Sequence, residues 1–192
     1  EGVVPFLFGP SSEAIMLTPD AMKERNIGVA LYFKPGLGLA LLRKEILGPD
    51  RFDYAFREYI KRWAYKHPTP WDFFRTMDNV AGEDLHWFWK AWFLENYKFD
   101  QAIASVTYEN NDAKNGAIVS MVNMEQGALP IYISYETKSG VKGTIKLPVE
   151  VWNNTNNWKV KLPTTEELQR VTLDEEKVFP DMNYGNNSWK SN

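Results

Sequence analysis

The sequence contains no cysteine and only two histidines among its 192 residues. The absence of cysteine excludes disulfide bonds, thiol nucleophiles and thiolate metal sites. A catalytic zinc ion takes about three protein ligands, whereas His67 and His86 lie 19 residues apart and outside any HExxH motif. We therefore predict no metal site in the chain. We interpret His67 as a helix-capping residue and His86 as a half-exposed residue on a helix.

An excess of positive charge is also missing, because 22 Lys and Arg residues stand against 25 Asp and Glu residues, for a formal net charge of −3. Without a basic excess, binding to a nucleic-acid backbone is unfavourable. No apolar run reaches the length of a membrane span. We predict neither a nucleic-acid partner nor a membrane span. The 44% of hydrophobic and 24% of charged residues are typical of a folded globular protein.

Aromatic residues divide the chain near residue 100. Sixteen of the 28 Phe, Trp and Tyr residues fall between Phe52 and Phe99. At the same place the hydrophobic pattern changes from helical spacing to alternation. The sequence therefore predicts an α+β fold. Residues 1–100 are expected to form a bundle of antiparallel helices, and residues 101–192 a small antiparallel β-sandwich of the immunoglobulin type.

The first half carries recognisable helix start and stop signals. Thr18-Pro19-Asp20 joins a capping hydroxyl to a proline at the first helical position, and Gly28 is expected to end that helix. Thr69 and Asp72 match a capping box. An apolar stripe at helical spacing over residues 52–64 predicts core packing. We predict an irregular segment over residues 1–17 and helices over residues 18–28, 36–47, 52–64, 69–82 and 85–93.

Alternating apolar residues predict short strands in the second half. Ser139-Gly140 separates two of them and indicates a hairpin. The polar tail over residues 181–189 is expected to dock loosely. The predicted strands cover residues 102–109, 116–124, 129–137, 141–147, 157–162 and 170–173.

No complete catalytic motif is visible in these residues. There is no GxSxG for a serine hydrolase, and acidic pairs such as Asp50 and Asp53 sit at predicted helix starts, where the helix dipole explains them. The series Asp181-x-Asn183-x-Gly185-x-Asn187 places oxygen ligands at alternate positions, as calcium loops do. Because the series lacks a closing Glu and a following helix, we interpret it as a solvated turn.

The segment Tyr32-Phe33-Lys34-Pro35-Gly36, followed by an apolar helix and the turn Leu47-Gly48, resembles a segment of the gluzincin aminopeptidases, the membrane alanyl aminopeptidase family. In that family the segment reads Tyr-x-Lys-Gly or Tyr-x-Lys-Pro. The similarity continues through residues 51–74 and 81–93 and is strongest with bacterial members of the Bacteroidetes type. The following sandwich, with Val171-Thr-Leu-Asp174, is similar to the β-domain of the same proteins.

The resemblance implies a parent protein that is a zinc-dependent aminopeptidase and hydrolyses the amino-terminal peptide bond. The family activates water with zinc held on an HExxH helix and by a Glu of the next helix, and these residues precede the Tyr-x-Lys segment. Since none of them occurs in this chain, we expect the C-terminal portion of such an enzyme, zinc-free and inactive alone. Residues 1–100 would be the helical part of its thermolysin-like catalytic domain.

The resemblance carries one catalytic position to this chain, Tyr32. In the family, this Tyr donates a hydrogen bond from its phenol to the oxyanion of the tetrahedral intermediate. We interpret Lys34 as structural. The insertion of Pro35 between the Lys and the Gly adds one residue before the helix.

The implied partners are the upstream zinc-bearing part of the same protein and a peptide substrate. An apolar face of the helical half, separated from that upstream part, predicts self-association or a tight fit between the two halves of the chain. The alternative function is a non-catalytic peptide-binding or scaffold module, which an upstream sequence without zinc ligands would favour. A carbohydrate-binding sandwich would need exposed coplanar aromatics, and nothing marks Trp152, Trp158 and Trp189 as such a platform. The lack of cysteine is compatible with an exported bacterial enzyme, and the localisation stays open.

Overall fold

The computed structural model describes residues 4–191, apart from the side chain of Pro19. The chain divides into two compact units, one of residues 6–96 and one of residues 97–191, with residues 4 and 5 grouped with the second. Helices occupy the first half, and a 3-stranded and a 4-stranded antiparallel sheet occupy the second. The predicted α+β class, with helices first and antiparallel sheets after, is therefore confirmed.

The helices of the first half combine α-helical, π-helical and 3-10 turns. π-helical turns at Val29–Phe33 and Leu42–Ile46 flank the second α-helix, and another at Lys90–Leu94 follows the fifth. Short 3-10 turns cover Pro19–Ala21 and Glu24–Asn26. In the described part of the chain the α-helices are α1 Val4–Phe8, α2 Lys34–Leu41, α3 Pro49–Trp63, α4 Pro70–Ala81 and α5 His86–Trp89.

Two helix predictions near the start of the chain are wrong. The segment expected to be irregular contains α1, because Leu7 and Phe8 become buried and Pro5 is tolerated in a first helical turn. The helix expected over residues 18–28 is replaced by the two 3-10 turns. Gly28 has right-handed helical angles (φ −62°, ψ −40°) and leads into Val29–Phe33 instead of ending a helix.

The signals around α3 and α4 are confirmed. Gly48 has a φ of 80° and breaks the chain before α3. The Thr69 backbone N–H donates to the Asp72 carboxylate at 2.8 Å, and Gly82 ends α4 in the left-handed region with a φ of 67°. The apolar stripe of α3, however, is core only at its start, where Phe52 and Ala55 are buried.

The second unit consists of two sheets whose alternating residues form its core. The first sheet has the order β1-β2-β5 and the second β4-β3-β6-β7. Every second residue of β2 and β3 is buried. The strands are β1 Gln101–Tyr108, β2 Ala117–Asn123, β3 Ile131–Thr137, β4 Lys142–Leu147, β5 Asn157–Lys161, β6 Leu168–Leu173 and β7 Ser188–Lys190.

All predicted strands are confirmed, including the hairpin between β3 and β4, where Gly140 has a φ of 91°. The tail is different from the prediction. It does not dock loosely, because β7 pairs with β6 with Trp189 opposite Val171. Its residues Asp181 and Asn187 are buried rather than solvated. Among the helices of residues 4–191, none has the length and apolar character needed to cross a membrane.

Candidate functional site

Tyr32 lies on the π-helical turn Val29–Phe33, directly before α2. Its side chain is 74% exposed. The backbone N–H of Lys34 donates to the carbonyl of Val29, five residues earlier, so this turn contains one residue more than an α-helical turn. Pro35 has no N–H for the next helical bond. The π-helical turn thus ends directly before α2, in whose first turn Pro35 lies.

Lys34, two residues after Tyr32, is 1% exposed. Its Nζ donates to Asn96 Oδ1 at 2.8 Å and to the carbonyl oxygen of Glu13 at 3.3 Å. The same Nζ lies 5.2 Å from the centroid of the Phe8 ring. No carboxylate of residues 4–191 forms an ion pair with this ammonium group. Burial lowers the pKa of Lys34 to about 8.

The burial of Lys34 determines where Tyr32 points. Residues two apart on a helix project about 200° apart, on nearly opposite faces. Because the ammonium group of Lys34 is held inside the first unit, the phenol of Tyr32 is turned toward the surface. The buried Lys34 thus orients the exposed phenol of Tyr32 in the same helical segment.

Trp92 also holds the helical segment that contains Tyr32 and Lys34. Its Nε1 donates to the carbonyl oxygen of Lys34 at 2.8 Å, and its side chain is fully buried. A Cβ added to Gly38 would lie 2.3 Å from Trp92 Nε1, so the indole packs against the backbone of α2. Asn96, the other partner of Lys34, donates from Nδ2 to the carbonyl oxygen of Ser12 at 2.9 Å. These contacts hold the start of α2 in one orientation.

The surface beside Lys34 has both polar and apolar residues and does not enclose a substrate pocket. A cleft lined by Phe6, Val29 and Lys34, among others, has a volume of only about 10 Å³, which is roughly the space for one water molecule. Phe6 is 69% exposed and Phe33 67% exposed. Leu31, Tyr32 and Phe33 are three consecutive exposed residues.

Several other charged groups of the first unit have local partners. Arg43 binds the Asp53 carboxylate through two nitrogens at 2.7 and 2.8 Å, and this hydrogen bonding lowers the pKa of Asp53. Arg51 binds Glu83 at 2.8 Å. Trp89 Nε1 donates to Asp78 Oδ1 at 2.7 Å. These carboxylates therefore stabilise the packing of helices, and their contacts do not support a role in acid–base catalysis.

Residues 4–191 do not fit a zinc ion, because no group of three or more His, Cys, Asp or Glu side chains among them could hold a metal. His67 lies after the end of α3 and is exposed. His86 is the first residue of α5 and is also exposed, rather than half-exposed as predicted. Sequence reasoning identified Tyr32 and Lys34 but missed Asn96, which carries no motif or periodic signal.

Comparison with known proteins shows a similarity in fold to one class of solved structure. No protein-family model matches the chain, and no curated protein matches it. Among solved structures, the chain is similar to the crystal structure of Legionella pneumophila aminopeptidase A in complex with aspartic acid, with a TM-score of 0.59 and 15% sequence identity. The similarity covers 80% of this chain and 17% of that chain. This chain is thus related in fold to a minor part of an aminopeptidase.

Proposed function

We propose that the chain forms the C-terminal portion of a zinc-dependent aminopeptidase of the gluzincin type. The observation that carries the proposal is the exposed Tyr32 on a helical turn held by the buried Lys34, in a chain whose fold is related to that of an aminopeptidase. The motif around Tyr32 favours this family, and the fold relation supports the coarser class of aminopeptidase-like proteins.

The zinc ion of this enzyme is held by residues outside this chain, since residues 4–191 offer no ligand set for it. The ion, when bound, supplies Lewis-acid activation of water. The chain itself contributes hydrogen bonding and positioning. Its exposed apolar segment Leu31-Tyr32-Phe33 supports a role at the surface that meets the zinc-bearing part and the peptide substrate.

Tyr32 is proposed to donate its phenol O–H to the oxyanion that forms on the scissile carbonyl. A phenol is suited to this role because it places a donor on a rigid ring, where charge develops only in the transition state. The contacts of Lys34 with Asn96 and of Trp92 with Lys34 keep the helical run from rotating. The donor is therefore preorganised, and little reorganisation is needed when the oxyanion forms.

The test is the substitution Tyr32→Phe in the full-length protein, assayed with aminoacyl anilides. Loss of one oxyanion donor costs about 3 kcal/mol of the barrier, so kcat should fall about 100-fold or more, while KM changes little. Tyr54→Phe is the matched control, because Tyr54 is 56% exposed on α3, and it should leave kcat unchanged. An unaltered kcat for Tyr32→Phe would remove Tyr32 from the mechanism.

A further inference from the structure

We infer that the outer edge of β4 binds an extended peptide segment in which acidic and apolar residues alternate, so that the segment adds a strand to the 4-stranded sheet. The inference goes beyond the proposed peptidase function, because β4 lies in the second unit and contains none of the candidate catalytic residues. Its support and its test do not depend on Tyr32.

Backbone groups of β4 point away from the sheet. The sheet has the order β4-β3-β6-β7, so β4 pairs only with β3. The backbone N–H of Thr137 donates to the carbonyl oxygen of Val141 at 2.8 Å, and the residues that bond to the neighbouring strand alternate in an antiparallel pair. In this register, the N–H and C=O groups of Lys142, Thr144 and Lys146 point outward. They have no hydrogen-bond partner in the described part of the chain.

The other strands at the ends of the two sheets have features that oppose further pairing. Bulges, short strands and prolines protect sheet edges. β1 has a register shift between Ile103 and Ser105, and β7 has only three residues. On β5, the hydroxyl of Thr155 donates to the carbonyl oxygen of Asn157 and accepts its N–H, both at 3.0 Å. β4 has six residues without proline, and its register with β3 has no shift.

One face of β4 carries positive charge that nearby carboxylates compensate poorly. Lys142 and Lys146 are exposed on the same face. Lys142 Nζ lies 4.0 Å from the carboxylate of Glu136, which also binds Arg170 at 3.4 Å. Lys146 Nζ lies 3.9 Å from the centroid of the Tyr132 ring and forms no ion pair with a carboxylate of residues 4–191. The two lysines oppose pairing with a second copy of β4 and attract acidic side chains.

The other face of β4 offers apolar side chains that the sheet covers only in part. Ile145 and Leu147 lie opposite the buried Ile133 and Ile131 of β3, yet both are only half-buried. An added strand would place every second side chain over them. A segment with acidic residues on the lysine face and apolar residues on this face therefore complements β4. In strand addition of this kind, backbone bonds supply affinity and alternate side chains supply specificity.

The test is titration of a fluorescently labelled, end-blocked peptide of alternating Glu and Val residues with the 192-residue chain, followed by anisotropy. We expect saturable binding below about 1 mM protein. Added salt should weaken the binding, because it screens exposed charges. A peptide of alternating Lys and Val should not bind. The proposal is overturned if the Glu-Val peptide does not bind saturably, or if the two peptides bind equally.

Thr144→Pro tests the backbone contacts. It removes an N–H that points to solvent and that β3 does not use, a change that edge strands tolerate. The variant should bind the Glu-Val peptide at least about tenfold more weakly. Thr144→Val is the matched control, because it keeps the N–H and a β-branched side chain, and it should bind as the wild type does. Equal affinities of the two variants would contradict strand addition.

The double variant Lys142→Glu with Lys146→Glu tests the charge, and its expected result cannot come from misfolding. It should lose affinity for the Glu-Val peptide and gain affinity for the Lys-Val peptide. Lys159→Glu is the control, because Lys159 is exposed on β5, and it should keep the wild-type preference. A double variant that still prefers the Glu-Val peptide would refute the charge complementarity.

A second copy of the chain is the competing occupant of this edge. Sedimentation of the wild type and of Thr144→Pro, both without peptide, distinguishes the two cases. We expect the two proteins to sediment alike. Self-association of the wild type that Thr144→Pro abolishes would assign the edge to a second copy and overturn the peptide proposal.

Discussion

At the scale of single residues, Lys34 is a buried cation in the helical unit. Its ammonium group is buried against Asn96 Oδ1 and a backbone carbonyl instead of a carboxylate. Neutral acceptors compensate less for lost hydration than an opposite charge would. The pKa of Lys34 is therefore lowered, and the group loses its proton more readily in the folded chain than in the unfolded chain.

This shift has a definite effect on stability. The pKa falls from 10.5 to about 8 on folding, so the unfolded chain binds more protons between these values and the contribution of Lys34 to stability increases as the pH rises through that window. The wild type should gain about 2 kcal/mol relative to Lys34→Met between about pH 7.5 and pH 10. Denaturant unfolding of both proteins at the two pH values measures this change.

Lys44→Met is the control for the pH dependence, because Lys44 is exposed on the π-helical turn that follows α2. Its stability difference from the wild type should not change over this range. A difference between the wild type and Lys34→Met that is equally independent of pH would contradict the account of Lys34 as a buried cation.

At the scale of elements, the close approach of α2 to Trp92 organises the helical unit. Gly38 provides the space, because any Cβ there would overlap the indole ring. The indole also binds the carbonyl of Lys34, four residues before Gly38. One aromatic side chain therefore determines both the position and the rotation of the helix that carries the candidate site.

Substitution of two glycines in α2 tests this packing. Gly38→Ala should destabilise the chain by about 1–3 kcal/mol through overpacking. Gly36→Ala lies in the same helix with nothing within 4 Å of the added Cβ, so it should be neutral or stabilise the chain by up to about 1 kcal/mol. Equilibrium unfolding in denaturant compares them. Equal effects of the two substitutions would show that the indole does not restrict α2.

The sequence predicted the helices and strands whose ends are determined by interactions between residues close together in the chain. The Thr69–Asp72 cap, the left-handed Gly82 and the alternation of β2 and β3 act within a few residues, so the sequence reveals them. The π-helical turn before α2 has no such local signal, and Lys34 at its end contacts Asn96 far along the chain. β7 has three residues, too few for a visible alternation, and forms through its pairing with β6.

In the candidate site, too, local signals predicted some residues, whereas residues placed by distant contacts were missed. Tyr32 and Lys34 were identified from a contiguous motif, whereas Asn96 is 62 residues from Lys34 and becomes its partner only in the folded unit. The buried positions of Asp181 and Asn187 were missed for a similar reason. A turn rich in Asp, Asn and Gly has the composition of an exposed loop, and its burial depends on Gln101 at the start of β1.

At the scale of the whole molecule, the chain is related to only 17% of the length of an aminopeptidase chain. Many of its large exposed apolar residues lie in the helical unit, among them Phe6, Tyr32 and Phe33. Burying such residues against another part of a protein is favourable by about 25 cal/mol for each Å² of apolar surface. We therefore propose that the zinc-bearing part of the enzyme covers these residues, and that their exposure promotes self-association in its absence.

The measurement that tests this account most directly is zinc content together with aminoacyl-anilide turnover, for the full-length protein and for the 192-residue chain alone. We predict stoichiometric zinc and turnover for the full-length protein, and neither for the isolated chain. Stoichiometric zinc with turnover in the isolated chain would contradict the account, as would a full-length protein that binds no zinc and releases no anilide.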